Sequence, residues 1–517
     1  MNLVDLKQKA APRRAGCAPD AEPDRRTILA CVAAFALIWG VYFAIAEAPA
    51  AIKHDMAEAY AWGQEFQLGY NQHPPFWAWL CGLWFLVFPH TQWAFSFLSS
   101  LNSAIGLWGC WVLIGDFVAG QKRVAAWAML LLVPASTYYA YKYDANIIFL
   151  SIWPWTLHWF LRSLHNRGFK DGAGFGICVA LALMSKYYAL ILAATCLLSA
   201  LQHPLRRRYF TSAAPYVAVC VCLVLCVPHI LWLLANRAPP IEYLESKSGW
   251  PWGYVADAAA KTAIGAVGMQ LGILVPIVLT LWRPRSGWRV LSGDHGAAFR
   301  HVGTADMRML ATLSLAPVLL TLLSSLAIRT PVTLEMTQAT YPLLPLLVIE
   351  QIGIRDVGRL GRISVRIAAG LCLGSVILSP AICYVRTWDL PEGRKAEPFQ
   401  EVALTATKLW HHYVGTRLAY VTGSVWYQNE TAFYSPDRPH AFYAFDYARS
   451  LWVTPEKLAR HGLLAICRTD DQPCLENSRK FATPESTRLT LTLAHHFLGH
   501  VSQPRDYVFT IIPPRVR

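Results

Sequence analysis

Residues 53 to 80 read KHDMAEAYAWGQEFQLGYNQHPPFWAWL and follow closely on the first long apolar run of the chain, Thr27 to Ile45. The stretch places Asp55 and Glu58 beside that run, then Gly69, Tyr70 and the His73-Pro74-Pro75 turn. Ionisable groups at or within a bilayer are costly unless they bind something or do chemistry, so carboxylates here point to a functional site. Three residues apart on a helix, they share one face and present two carboxylates to one ligand. The competing reading is a solvated helix end, with Asp55 favourable in the first turn.

The rest of the chain sets this stretch in a membrane. Of 517 residues 55% are hydrophobic and only 15% charged, too apolar a balance for a soluble domain of this length. Apolar runs long enough to cross a hydrocarbon core of about 30 Å recur as far as residue 385 and then stop. The net charge of +14 lies in short clusters between these runs, without interleaved base-stacking aromatics, which argues against nucleic acid as a partner. The positive-inside rule accounts for it: Lys122-Arg123, Arg162 to Lys170, Arg206-Arg207-Arg208, Arg283 to Arg308 and Arg355 to Arg362 face the cytoplasm.

Charge parity then orders the crossings. Residues 1–26 form a basic cytoplasmic tail with Arg13, Arg14, Arg25 and Arg26, and the run from Thr27 is too long for a cleaved signal, so it reads as a signal anchor. One crossing must separate it from Lys122-Arg123, yet two apolar runs lie between. Pro75 to Phe88 is short and bounded by prolines, so it reads as an interfacial or re-entrant helix, its Trp77, Trp79 and Trp84 suited to the headgroup region. The spans are 27–45, 93–115, 124–141, 146–163, 173–185, 187–202, 211–234, 262–282, 309–328, 338–353 and 363–385, about eleven crossings. Gly172, Gly174 and Gly176 permit close packing in the short fifth span. An odd number puts the first outer loop, 46–92, and everything after Tyr384 outside.

Residues 386–517 turn polar and read as a small soluble α/β domain. Strands are expected at 417–422, 462–467, 489–493 and 507–512, and Thr454-Pro455-Glu456 as a helix start with Thr454 at the N-cap. Most of the 13 cysteines lie in apolar helices as small hydrophobes, whereas Cys467 and Cys474 are placed to close a disulfide loop. His411-His412 and His495-His496 with His500 lack a metal-ligand pattern and read mainly as surface.

Further charged points share the outer side with Asp55 and Glu58. Asp144 lies in Tyr143-Asp144-Ala145-Asn146, where capping of the next helix competes with a catalytic role. Lys142 precedes it, and Lys186 sits in the tight apolar connection Met184-Ser185-Lys186-Tyr187-Tyr188, either snorkelling or meeting an anion. Glu335 follows Arg329-Thr330-Pro331. Carboxylates and cations together suit glycosyl transfer from a lipid phosphate: a base takes the proton of the attacking hydroxyl, and positive charge stabilises the departing phosphate.

Asp55-Met56-Ala57-Glu58, Gly69-Tyr70 with His73-Pro74-Pro75, Tyr143-Asp144-Ala145-Asn146 and Ser185-Lys186-Tyr187, in this order over residues 27 to 202, resemble the GT-C superfamily of membrane glycosyltransferases. The similarity is to the bacterial relatives of protein O-mannosyltransferases, the aminoarabinose transferase of lipid A and the rhizobial galacturonosyltransferases. It implies a polytopic all-α membrane domain over 27–385, followed by the soluble domain. It also implies an inverting transferase of the bacterial inner membrane, with its site facing the periplasm. The donor would be a polyprenyl-phosphate sugar and the acceptor lipopolysaccharide or lipid A, another envelope glycan or a protein hydroxyl. Asp55, Glu58 and Asp144 would be catalytic, with Asp55 the base. Lys186, His73, Tyr70, Lys142, Tyr187 and Glu335 would bind substrate, and a divalent cation is compatible with the acidic set. Met56 stands where relatives often carry a second acid, and Asn71-Gln72 where a charge is common. The rival is a transporter or flippase of lipid-linked glycans; it is disfavoured by the lack of an internal repeat and by charges grouped at one surface.

Overall fold

The computed structural model describes residues 22–237, 239–283, 287–288, 303–354, 356–388 and 397–515. Most of the expected tail at 1–26, the middle of the basic stretch from Arg283 to Arg308, Arg355 and the start of the soluble domain at 389–396 lie outside the described residues.

Helix α1 (Arg25–Ala46) starts where Asp24 accepts a hydrogen bond from the Thr27 N–H at 2.9 Å, a side-chain cap for an otherwise orphan donor. The short α2 (His54–Gly63) carries Asp55 and Glu58, and α3 (Phe76–Val87) comes after the His73-Pro74-Pro75 turn. At 1.5 Å per residue α3 is about 18 Å long, short of a hydrocarbon core. Glycines let the two helices touch: a Cβ on Gly63 would lie 2.6 Å from the Ala78 carbonyl oxygen, and one on Gly82 2.3 Å from that of Gly63. Helix α4 (Gln92–Ile114) then packs along α1.

The interval 124–141, expected as one span, is broken. Helix α5 (Gln121–Leu130) ends, and a 3-10 segment over Pro134–Tyr141 leaves it at 73°. Pro134 has no N–H to continue the helix, so the chain turns there and carries Lys142 and Asp144 sideways.

Next along the chain are α6 (Phe149–Asn166), α7 (Phe169–Leu183), α8 (Ala189–Gln202), α9 (Arg206–Phe210) and α10 (Ala214–Ala235). The glycine-rich α7 packs against α10: a Cβ on Gly172 would lie 2.4 Å from the Ala214 oxygen and one on Gly176 2.4 Å from the Ala218 oxygen. These small residues four apart bring the backbones together, as their composition suggested. Then come α11 (Pro239–Lys247), α12 (Trp252–Met269), α13 (Leu274–Leu281), a strand pair β1 (Trp282–Arg283) and β2 (Gly287–Trp288), α14 (Thr304–Ile328), α15 (Leu344–Ile352) and α16 (Val357–Thr387). The expected span at 338–353 thus holds only the nine-residue α15, because Pro342 and Pro345 keep the helix from starting earlier. Among the described residues six helices are long and apolar enough to cross a membrane, or seven if the bent pair at 121–141 is one span. The expected crossings also include α6, α7, α8 and α15, which fall below that measure.

The C-terminal domain comprises α17 (Phe399–Tyr413), β3 (Tyr420–Gly423), α18 (Tyr427–Tyr434), β4 (His440–Ala441), α19 (Pro455–His461), β5 (Leu463–Arg468), α20 (Gln472–Phe481), β6 (Thr487–Leu493), the pair β7 (His496–Phe497) and β8 (His500–Val501), and β9 (Arg505–Ile512). The sheet order is β4-β3-β5-β9-β6, with β3 parallel to β4 and β5, and β9 antiparallel to β5 and β6. The central β5 is an almost continuous buried apolar run, as a strand covered on both faces must be. Thr454 caps α19 with Pro455 at its first position. Cys467 and Cys474 are joined as a disulfide, Cα to Cα 5.6 Å, tying the end of β5 to the start of α20.

This domain rests on the first loop. The Ile52 N–H donates to the Tyr434 hydroxyl at 2.8 Å, His440 pairs with Glu65 at 2.7 Å and His495 Nε2 contacts the Pro49 oxygen at 3.0 Å, while Arg386 at the end of α16 pairs with Glu47. Helix α2, with its carboxylates, is held between membrane helices and the sheet domain, against α18.

Candidate active site

Lys142 occupies the centre of the site. Its ammonium lies 2.6 Å from Asp55 Oδ2, 2.9 Å from Glu335 Oε1 and 3.4 Å from Asp144 Oδ2. The three carboxylates come from the first turn of α2, the segment entering α6 and the 3-10 turn Leu334–Thr337. The bend at Pro134 makes the meeting possible, since a straight helix over 124–141 would carry Lys142 away along its axis.

The carboxylates differ in environment and so in proton affinity. Burial pushes the Asp55 carboxyl up, but the Lys142 charge and hydrogen bond, aided by His54 and His73, outweigh it and hold the group below the usual range. Its side chain remains 39% exposed, so it is both ionised and reachable. Burial raises Asp144, and Lys142 only partly opposes this. Asp144 Oδ1 accepts from the N–H groups of Asn146 (2.6 Å) and Ile147 (2.9 Å), so the capping and charge-pairing readings of this residue both hold. Lys142 is desolvated too, yet its three partners raise its proton affinity and keep it charged.

Glu58 is the exception. It is 5% exposed, with no ion pair or hydrogen bond among the described residues, and burial, then the charges of Asp55 and Asp144, raise its pKa well above the ordinary value. It holds its proton where Asp55 does not. Glu58 and Asp55 share a face of α2 and one field, but they are not equivalent carboxylates. A divalent cation among Asp55, Asp144 and Glu335 would have to displace the Lys142 ammonium; Glu58 is the carboxylate left with a free ligand atom.

Lys186 donates to Asn146 Oδ1 at 2.6 Å, which brings the second acidic loop and the later Lys-Tyr motif together. His73 lies edge-on to Trp62, Trp77 and Tyr243, at centroid distances of 6.3, 5.9 and 6.4 Å. Burial and then the neighbouring Lys186 push its pKa down to about 3, so it is neutral.

Two expected substrate-binding tyrosines are engaged elsewhere. Tyr70 is fully buried, stacked on Trp62 at 4.6 Å, and its hydroxyl donates to the Trp62 carbonyl at 2.6 Å and accepts from the Gln67 N–H at 3.2 Å. The Tyr187 hydroxyl meets His229 Nε2 at 2.8 Å, and His229 Nδ1 donates to the Leu68 carbonyl at 2.7 Å. Both hydroxyls brace the first loop, Tyr70 directly and Tyr187 through His229.

Residues not singled out from sequence complete the site. Tyr243 on α11 lies edge-on to His73 at 6.4 Å, Tyr243 and Tyr443 of the C-terminal domain both come near Glu58, and Trp452 lies edge-on to Tyr70 at 6.3 Å. Nothing in their local sequence marks them, because they reach the site only through tertiary folding. Asn146 was within a quoted motif, but its partner Lys186 is 40 residues away. His411 and His495 are paired with Asp437 and Glu401, each at 2.7 Å.

Residues 72–232 match the model of the family described as dolichyl-phosphate-mannose-protein mannosyltransferase. Among solved structures, ArnT from Cupriavidus metallidurans bound to undecaprenyl phosphate is similar with a TM-score of 0.60 at 15% identity, over 94% of this chain and 98% of that one. The apo state of the same protein gives 0.58 at 14% identity, over the same shares. A search of the curated proteins finds no match. The GT-C resemblance carried by four short motifs therefore extends through the architecture: this chain has the fold of ArnT, membrane helices and C-terminal domain alike, and the mannosyltransferase family match lies within it.

Proposed function

We propose that this protein is an inverting glycosyltransferase that moves a sugar from a polyprenyl-phosphate donor to an envelope acceptor at the periplasmic face of the bacterial inner membrane. The observation that carries the reading is the division of labour around Lys142: an ionised, reachable Asp55 beside a protonated, buried Glu58. Environments that push neighbouring carboxyls apart are how acid and base roles are assigned.

Asp55 is the base. It takes the proton of the acceptor hydroxyl as that oxygen bonds to the anomeric carbon and the bond from this carbon to the phosphate oxygen breaks, which inverts the configuration. Phosphate leaves well without a general acid, so charge stabilisation is what remains to be supplied. Lys186 supplies it: among the described residues its ammonium is bonded to the neutral Asn146 and to no carboxylate, leaving a cation for the lipid phosphate. Lys142 keeps Asp55 ionised and fixed, Asp144 and Glu335 hold Lys142, and Glu58 donates a hydrogen bond to the acceptor or sugar. The match to a mannosyltransferase family and the undecaprenyl phosphate bound to ArnT support a polyprenyl-phosphate donor.

The test is transfer by Asp55→Asn, in membranes supplied with the lipid-linked sugars of the host. The variant is expected to insert and fold as wild type and to lose transfer by at least about 100-fold, the usual worth of a general base. Near-normal transfer would remove Asp55 from the role.

A further inference from the structure

The ends of α6, α8 and α14 remote from the carboxylates carry a cluster that the transfer reaction does not use. His165 lies in the last turn of α6, His203 is the C-cap of α8, and Asp306 lies in the first turn of α14. One ligand atom from each can be chosen so that all lie within 4.8 Å of one another. The imidazoles stand nearly perpendicular, centroids 5.6 Å apart, and His203 Nε2 faces Asp306 Oδ1 at 3.7 Å.

We propose that His165, His203 and Asp306 form a binding site for a zinc-class divalent ion that clamps these three helices at their far ends. The orientation of His165 suits this: its Nδ1–H donates to the Leu161 carbonyl at 2.9 Å, which leaves the Nε2 lone pair for a metal. A backbone carbonyl on the other ring nitrogen is the usual outer-shell partner of a metal-bound histidine. His203 is buried, and its Nδ1 accepts from the Leu205 N–H at 3.2 Å, a long bond. Binding through Nε2 moves the ring proton to Nδ1 and gives up that contact. Asp306 is half-exposed and free to close the remaining distance, since a bound ion draws its ligands to about 2.0–2.2 Å. Two imidazoles and one carboxylate favour zinc over magnesium or calcium, which take oxygen ligands.

The three helices are also those bordering the carboxylate site. Asp144 precedes α6, Lys186 precedes α8 and Glu335 follows α14, so the ion would lie about 27 Å away along α6 and fix the axial positions of the segments that meet at Lys142. The ligands are separated by 38 and 103 residues and belong to no sequence motif. A metal-free ion pair of Asp306 with His203 is the competing account.

The full chain, purified in detergent without a polyhistidine tag and stripped with chelator, would be exposed to zinc chloride, desalted, and assayed by elemental mass spectrometry and thermal melting, with magnesium chloride as control. The expected result is one retained zinc per chain and a melting temperature raised by zinc and not by magnesium. Asp306→Asn and His165→Ala, at half-exposed positions that need not disturb the fold, should lose both effects, as should His203→Ala. No retained zinc in the wild type, or retention and stabilisation unchanged in all the variants, would overturn the proposal.

Discussion

Lys142 sets the charge balance of the site, and its removal has a calculable sign. Asp55 and Glu335 are 39% and 41% exposed, so water takes over much of the lost pairing; Asp144 is buried and would be left as an uncompensated acid. Lys142→Met should therefore lower stability by about 3 kcal/mol, mostly through Asp144, and abolish transfer. Thermal melting in detergent checks the first effect and a transfer assay the second. Glu58 gives a pH signature. Burial raises its folded pKa above the ordinary 4.5, so the wild type loses stability as pH rises from that value through the folded one. Glu58→Gln has no proton to lose, and its melting temperature should gain on that of the wild type as pH rises above the ordinary 4.5. An unchanged difference would mean that Glu58 is solvated or paired. Asp55, Glu58, Asp144 and Lys186 were legible in sequence because a charge beside a membrane demands a reason. Tyr243 and Tyr443 were not, because an interfacial or surface tyrosine needs none.

Among the elements, the broken segment after α5 does most to build the site. Pro134 was visible in the sequence, yet the apolar composition of 124–141 argued for a continuous span; the proline's missing N–H decided the local structure and the composition did not. The same competition shortened α15. The glycines of α7 read correctly, since a small residue every four positions has few uses besides close packing. Gly176→Val would drive its side chain into the Ala218 carbonyl, whose oxygen lies 2.4 Å from where a Cβ would stand, and should cost about 2 kcal/mol by overpacking. The drop in melting temperature should come with reduced transfer, because α7 leads directly into the Lys186 connection. A variant melting like wild type would show that α7 and α10 can slide apart freely. The strands of the C-terminal domain were legible from their β-branched and apolar runs, whereas the helix α18 that seats this domain on α2 carries no amphipathic pattern.

For the whole molecule, composition and charge clusters were enough to establish a polytopic membrane protein with a separate polar domain. They could not show that this domain covers the first loop, because the contacts Ile52 to Tyr434 and Glu65 to His440 join residues more than 300 positions apart. Asp55 and Glu58 thus sit on a helix braced from both sides, by α3 and by α18 of the C-terminal domain. The most direct test of glycosyl transfer is mass spectrometry of lipopolysaccharide and envelope glycolipids from a strain lacking this protein, complemented with wild type or with Asp55→Asn. One sugar should be missing from one envelope species, restored by the wild type and not by the variant. An unchanged profile in the deletion strain, or full restoration by Asp55→Asn, would contradict the account.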